Sequence, residues 1–105
     1  MPQFSLYRNP NPASRSRFPL LLDIQSDLLE PLATRVVVPL TPAGPSRPRS
    51  MRTLTPILKF EGKQYLMLTP QVAGIPVREL GLVAGDLVSD RDTIVAAVDF
   101  LLAGI

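Results

Sequence analysis

Few side chains in this sequence are equipped for chemistry. Asp23 and Asp27 stand four residues apart, the nearest approach to a paired acid and base for proton transfer. They fall on a stretch read as the end of a strand and the turn after it. There a spacing of four does not set two carboxylates side by side, so both read as solvated loop acids. Arg47, Arg49 and Arg52 lie among prolines and offer guanidinium groups to phosphate or carboxylate. No aromatic residue is interleaved with them, as stacking on nucleic acid would require, and they read as a solvated or partner-binding loop. The chain has no His and no Cys. That excludes a His-based triad, thiolate chemistry, disulfides and the usual zinc sites. There is no glycine-rich phosphate loop and no metal-ligand cluster. Catalysis is therefore poorly supported, and no metal or cofactor is expected.

The chain that must position these residues has 105 of them, 46% hydrophobic, which suits one domain with a modest core. A domain this small buries a limited share of its surface, and self-association would add to it. The net charge of +2 is uneven. Residues 1–78 carry ten Lys and Arg against four acids, whereas residues 79–105 carry one Arg against five acids. The basic part suits nucleic acid or an acidic protein partner, and the acidic end argues against the C-terminal segment approaching phosphates. No run approaches the ~18 apolar residues of a membrane span, and no signal-peptide pattern opens the chain. A cytoplasmic protein is expected.

All twelve prolines lie in residues 2–76, which disfavours long helices there and favours short strands. Strands are expected at Gln3–Tyr7, Phe18–Ile24 and, most clearly, Arg35–Leu40. In the last, Pro39 implies an edge or a bulge. Arg8–Arg17 reads as a polar, mobile loop. Asp27–Thr34 reads as a turn region in which Leu28 and Leu29 would be exposed unless packed. Thr41–Arg52 reads as a basic, polyproline-like loop. Glu61-Gly62 between two apolar runs predicts a hairpin, and Ile75–Leu80 a further short strand. Gly81 and Gly85 loosen the chain before its end.

Ser89–Ile105 is the best helix in the sequence. Ser89 is placed to cap it, with Asp92 three residues on completing a capping-box-like pattern. Ile94, Val98, Leu101 and Ile105 form an apolar stripe, and Ala96, Phe100 and Ala103 leave the far side little more polar. A helix apolar on most faces needs a second cover, which in so small a chain points to another subunit. Strands first and a helix last predict an antiparallel α+β fold.

Taken together, Gln3-Phe4 with Tyr7, Leu22-Asp-Ile-Gln-Ser-Asp27, Val37-Val-Pro-Leu40, Thr55-Pro-Ile-Leu58, Met67 and Thr69, Ile75-Pro-Val77 and the closing Gly104-Ile105 form an ordered series. This series resembles the CcdB family, the toxins of bacterial toxin–antitoxin pairs. The resemblance spans nearly the whole chain. It implies a CcdB/MazF-like fold: an SH3-type antiparallel barrel with a small extra sheet and a C-terminal helix, assembled as a homodimer. It implies a non-catalytic poison that binds the gyrase A protein of DNA gyrase and traps the cleaved-DNA complex. Neutralisation by a CcdA-like antitoxin and autoregulation of transcription are implied with it, but neither direct nucleic-acid binding nor a membrane. By position, the implied gyrase-facing residues are Leu28, Leu29 and Glu30 in the turn, and Asp92, Ala96, Asp99, Leu102, Ala103, Gly104 and Ile105 on the helix. An acidic antitoxin tail would meet the basic loops at Arg15 and Arg17 and at Arg47, Arg49 and Arg52. The family's closing Trp-Gly-Ile is here Ala103-Gly104-Ile105. Loss of an aromatic–guanidinium contact at a desolvated hot spot costs on the order of 1–3 kcal/mol. The rival readings are a MazF-type endoribonuclease on the same fold, and a non-toxic homologue that keeps only antitoxin binding.

Overall fold

A computed structural model describes residues 2–43 and 49–104. Its centre is the β-branched run of the third strand. β3 spans Thr34–Pro42 and lies beside β2 (Leu20–Asp23), which lies beside β1 (Ser5–Arg8). Every pairing in the sheet is antiparallel. The register stacks apolar side chains across strands, with Leu6 opposite Leu22, Leu22 opposite Val38, and Leu20 opposite Leu40. Leu40 in turn faces Met67 of β5 (Lys63–Met67). These residues are fully buried and form one core with Leu58, Ile94 and Ala97. With β4 (Ile57–Phe60) outside β5 and β7 (Val83–Asp86) outside β1, six strands curl into a half-barrel in the order β4-β5-β3-β2-β1-β7. β6 (Ala73–Pro76) pairs with the first half of β3, off that path.

Pro39 is not on an edge strand. β3 is central, pairing β2 on one side and, on the other, first β6 through Val37 and then β5 from Leu40. Pro39 sits in the gap between those two partners, where its missing N–H breaks no ladder bond. Its carbonyl still accepts from the Leu68 amide at 3.1 Å.

The hairpin forms where expected. Glu61 and Gly62 both have positive φ, 52° and 79°, as a two-residue turn that follows the twist of its strands requires. β3 runs on to Pro42, and Arg49–Leu54 forms a short helix, α1, rather than an extended loop. Thr55 ends it, with both its amide and its hydroxyl donating to the Met51 carbonyl at 2.6 Å. The Arg8–Arg17 loop is pinned from within. Asn9 Nδ2 donates to Ser14 Oγ and to the Phe18 carbonyl, while Asn11 Oδ1 accepts from the Ala13 amide.

β7 lies where a mere loosening was expected. Gly85 permits it: a Cβ there would fall 2.6 Å from the Phe60 ring, which packs across the seam between β4 and β7. The strand predicted over Ile75–Leu80 begins earlier, at Ala73, and gives way to a 3-10 turn over Val77–Glu79.

The terminal helix α2 covers Arg91–Ala103. Ser89 does not cap it. A 3-10 turn over Val88–Asp90 runs straight into the helix, so Ser89 lies inside the coil and Asp90 takes the cap position without a side-chain bond. At the other end Gly104 adopts φ 75°, and its amide returns to the Phe100 carbonyl at 2.9 Å. This is the left-handed stop that glycine adopts with least strain. Ile94 and Ala97 face the core, with Val95 and Val98 packed against it. No helix among the described residues is long and apolar enough to cross a membrane.

Candidate functional site: the turn and the helix end

Residues 26–34 are all exposed, so the turn after β2 has no apolar anchor of its own. Leu28 is 90% exposed and Leu29 is exposed as well. The turn is shaped by hydrogen bonds. Ser26 Oγ accepts from the Leu28 amide, the Ser26 carbonyl from Leu29, and the Asp27 carbonyl from Glu30. Asp27 is a working acceptor, holding the Gln3 amide on Oδ1 at 2.7 Å and so tying the N-terminal segment to the turn.

Asp23 is no solvated loop acid. It and Arg35 are both 0% exposed, with Arg35 Nε donating to Asp23 Oδ2 at 2.8 Å. The reason lies in the register. Asp23 is opposite Val37, and Arg35, two residues back on the same face of β3, reaches it diagonally across the strands. Between the pair and the turn sits the buried Gln25. Its amide donates to Asp23 Oδ1 at 2.9 Å and its carbonyl accepts from Arg35 Nη2 at 3.4 Å. The side chain bridges outward, Oε1 accepting from the Val36 amide and Nε2 donating to the Leu29 carbonyl. Residue type alone singles out neither Arg35 nor Gln25. Opposite charges at the ends of two neighbouring strands are the available signal, and they become a pair only once the register is known.

On α2, Asp92, Ala96, Asp99, Leu102 and Ala103 are all exposed, Leu102 at 78%. Gly104 is exposed at the helix stop, and Ile105 lies outside the described residues. Between helix end and sheet runs a cleft of about 280 Å³ lined by Ile24, Val36, Thr69, Val72, Val98, Leu101 and Leu102. Its lining is apolar apart from Thr69, whose buried Oγ1 has no hydrogen-bond partner among the described residues. The cleft joins the end of β2, just before the turn, to the end of α2. Of the predicted surface residues, Leu102 lines it, and Leu28, Leu29 and Glu30 do not.

The predicted antitoxin-facing arginines are dispersed. Arg15 and Arg17 are exposed on the pinned loop, with the Arg17 guanidinium 5.1 Å from the centre of the Phe18 ring. Arg52 is exposed on α1. Arg47 and the side chain of Arg49 lie outside the described residues.

The family model of the CcdB protein matches residues 3–104. The chain belongs to the CcdB family. Membership makes it a toxin-type member of a toxin–antitoxin pair. The curled antiparallel sheet with its C-terminal helix agrees with the CcdB fold. What the surface offers chemically is recognition: exposed leucines on a hydrogen-bonded turn, an apolar cleft, and a helix that carries Asp92 in its first turn and Asp99 nearer its end.

Proposed function

We propose that this CcdB-family chain acts as a non-catalytic, cytoplasmic gyrase poison. On this reading it is a homodimer that binds the gyrase A protein through the turn and the helix end, and traps the cleaved-DNA complex. The observation that carries the reading is the exposure of Leu28 and Leu29 side by side on the turn and of Leu102 at the rim of the apolar cleft, because exposed apolar area of this kind in a small domain marks an interaction site. Self-association through the helix and the strands beside it would give α2 the second cover that it calls for. A disordered antitoxin segment would order on binding, its acidic groups meeting Arg15, Arg17 and the arginines near α1.

The endoribonuclease alternative needs an acid beside an arginine within reach of RNA. Asp23 and Arg35 make such a pair but are fully buried, while the exposed Arg8–Glu61 and Arg91–Asp92 pairs are loose surface contacts at 4.0 and 3.8 Å, so none of the three reads as a built acid–base site. Incubation of the protein with RNA should leave the RNA intact.

The test is cleavage-complex formation with gyrase by the wild-type chain and Ala103→Trp over a concentration series. Position 103 is exposed, so the indole should leave the fold unchanged. It should strengthen poisoning about tenfold for each 1.4 kcal/mol of stacking gained. No cleavage complex with either protein would overturn the gyrase reading.

A further inference from the structure

We propose that Gln25 is a positioning residue: its side chain sets the conformation of the 26–30 turn, and partner affinity depends on it. The claim about affinity rests on the gyrase reading, whereas the claim about conformation does not.

Gln25 is committed at all four of its polar groups. Its backbone is held by Asp23 Oδ1 and Arg35 Nη2, and its Oε1 takes the Val36 amide of β3 at 2.9 Å. With Oε1 so engaged, Nε2 is directed at the turn, where it donates to the Leu29 carbonyl at 3.0 Å. Residues 26–34 place no side chain in the core, so this bond ties the leucine-bearing turn to the buried Asp23–Arg35 pair. Gln3 adds a tie from the exposed edge, donating its amide to Asp27 Oδ1 and its Nε2 to the Ile24 carbonyl. A turn held from below meets its partner already shaped. A turn without that bond must be ordered on docking, which weakens binding.

The structure also names the selective variant. Gln25→Glu keeps an acceptor for the Val36 amide but turns the donor facing Leu29 into a second acceptor. Gln25→Met removes both bonds. The first measurement is native-state amide exchange at Leu28, Leu29 and Glu30, whose N–H groups are all bonded within the turn. Both variants should speed exchange there about tenfold relative to the β3 amides other than Val36, for the loss of the partly buried bond to Leu29. The second is affinity for gyrase A, expected to fall about three- to tenfold. The third is the same loss measured on a Leu28→Ala background, where it should shrink markedly, because a residue acting through the turn has little left to act on.

Unchanged exchange in the turn with both variants overturns the positioning role. A full, additive loss on the Leu28→Ala background shows that Gln25 acts elsewhere and overturns it too. Absence of wild-type affinity for gyrase A overturns the gyrase reading and the claim about affinity. The exchange measurement needs no partner and then decides the role of Gln25 alone.

Discussion

Breaking the buried pair from one side should cost far more than replacing both partners. Arg35→Met leaves the Asp23 carboxylate fully buried, stripped of its arginine and still holding the Gln25 amide. Asp23→Leu leaves a guanidinium buried without that carboxylate, its Nη2 still on the Gln25 carbonyl through a long bond. Either change should destabilise by about 3–5 kcal/mol, the usual result of removing one member of a buried ion pair. A chain of this length has roughly 5–15 kcal/mol in total, so each single variant should be close to unfolding, its melting temperature lower by about 15–30 °C. The double variant Asp23→Leu/Arg35→Met removes both charges and refills the space with apolar atoms. Its losses include the two bonds to the Gln25 backbone, about 1 kcal/mol each, and it regains the desolvation cost of the pair. It should therefore be more stable than either single variant and lie within about 2 kcal/mol of wild type. Urea unfolding followed by circular dichroism, at one fixed protein concentration because association shifts stability, gives all four corners of the cycle. A double variant as unstable as the sum of the singles would refute the reasoning, since the two groups would then not be compensating each other.

Val38 is fully buried and Val36 is 37% exposed, so Val38→Asp should unfold the chain while Val36→Asp keeps a native circular dichroism spectrum. Gly85→Ala should destabilise by roughly 1–3 kcal/mol through overpacking against Phe60, and adding Phe60→Leu should recover part of that in thermal unfolding. The Tyr7 hydroxyl titrates above its ordinary 10.0, chiefly through burial and next through the Asp23 carboxylate, with its Ser5 hydrogen bond and Arg35 opposing. The unfolded chain thus releases that proton first, and stability should fall as pH rises from about 10 through the folded value. Unfolding titrations should show that Tyr7→Phe flattens this alkaline loss.

The parts of the fold legible in the sequence are those whose local chemistry agrees with their tertiary role. The valine run of β3, the Glu61-Gly62 hairpin and the alanine-rich helix are of this kind. The misreadings arise where tertiary contact outweighs local preference. Gly85 reads as a breaker, yet it is the residue that admits the Phe60 ring beside β7. Pro39 reads as a mark of an edge or a bulge, and the switch from β6 to β5 opens a gap for it in the centre of the sheet. Asp23 reads as solvated because nothing local shows that Arg35 lies across from it. At the candidate site, exposure of Leu28 and Leu29 followed from the polar turn around them. The cleft and the Gln25 bridge did not, since both depend on which strands are neighbours.

Those long-range contacts bear directly on how the proposed surface would hold a partner. Among the described residues the helix end offers little large apolar area beyond Leu102, because Ala103 contributes a methyl group where the family's tryptophan would supply a ring. The turn must then carry much of the binding. Burying Leu28 and Leu29 gains at most about 1.5–3 kcal/mol each, and Leu29 starts half covered. Ordering the backbone of Leu28, Leu29 and Glu30 from a mobile state would cost about 1–2 kcal/mol per residue, which cancels most of that gain. The turn is therefore a useful docking element only if its conformation is already set before the partner arrives. The chain sets it through Gln25 rather than through apolar packing, and this leaves both leucines outside the core, where a partner can reach them.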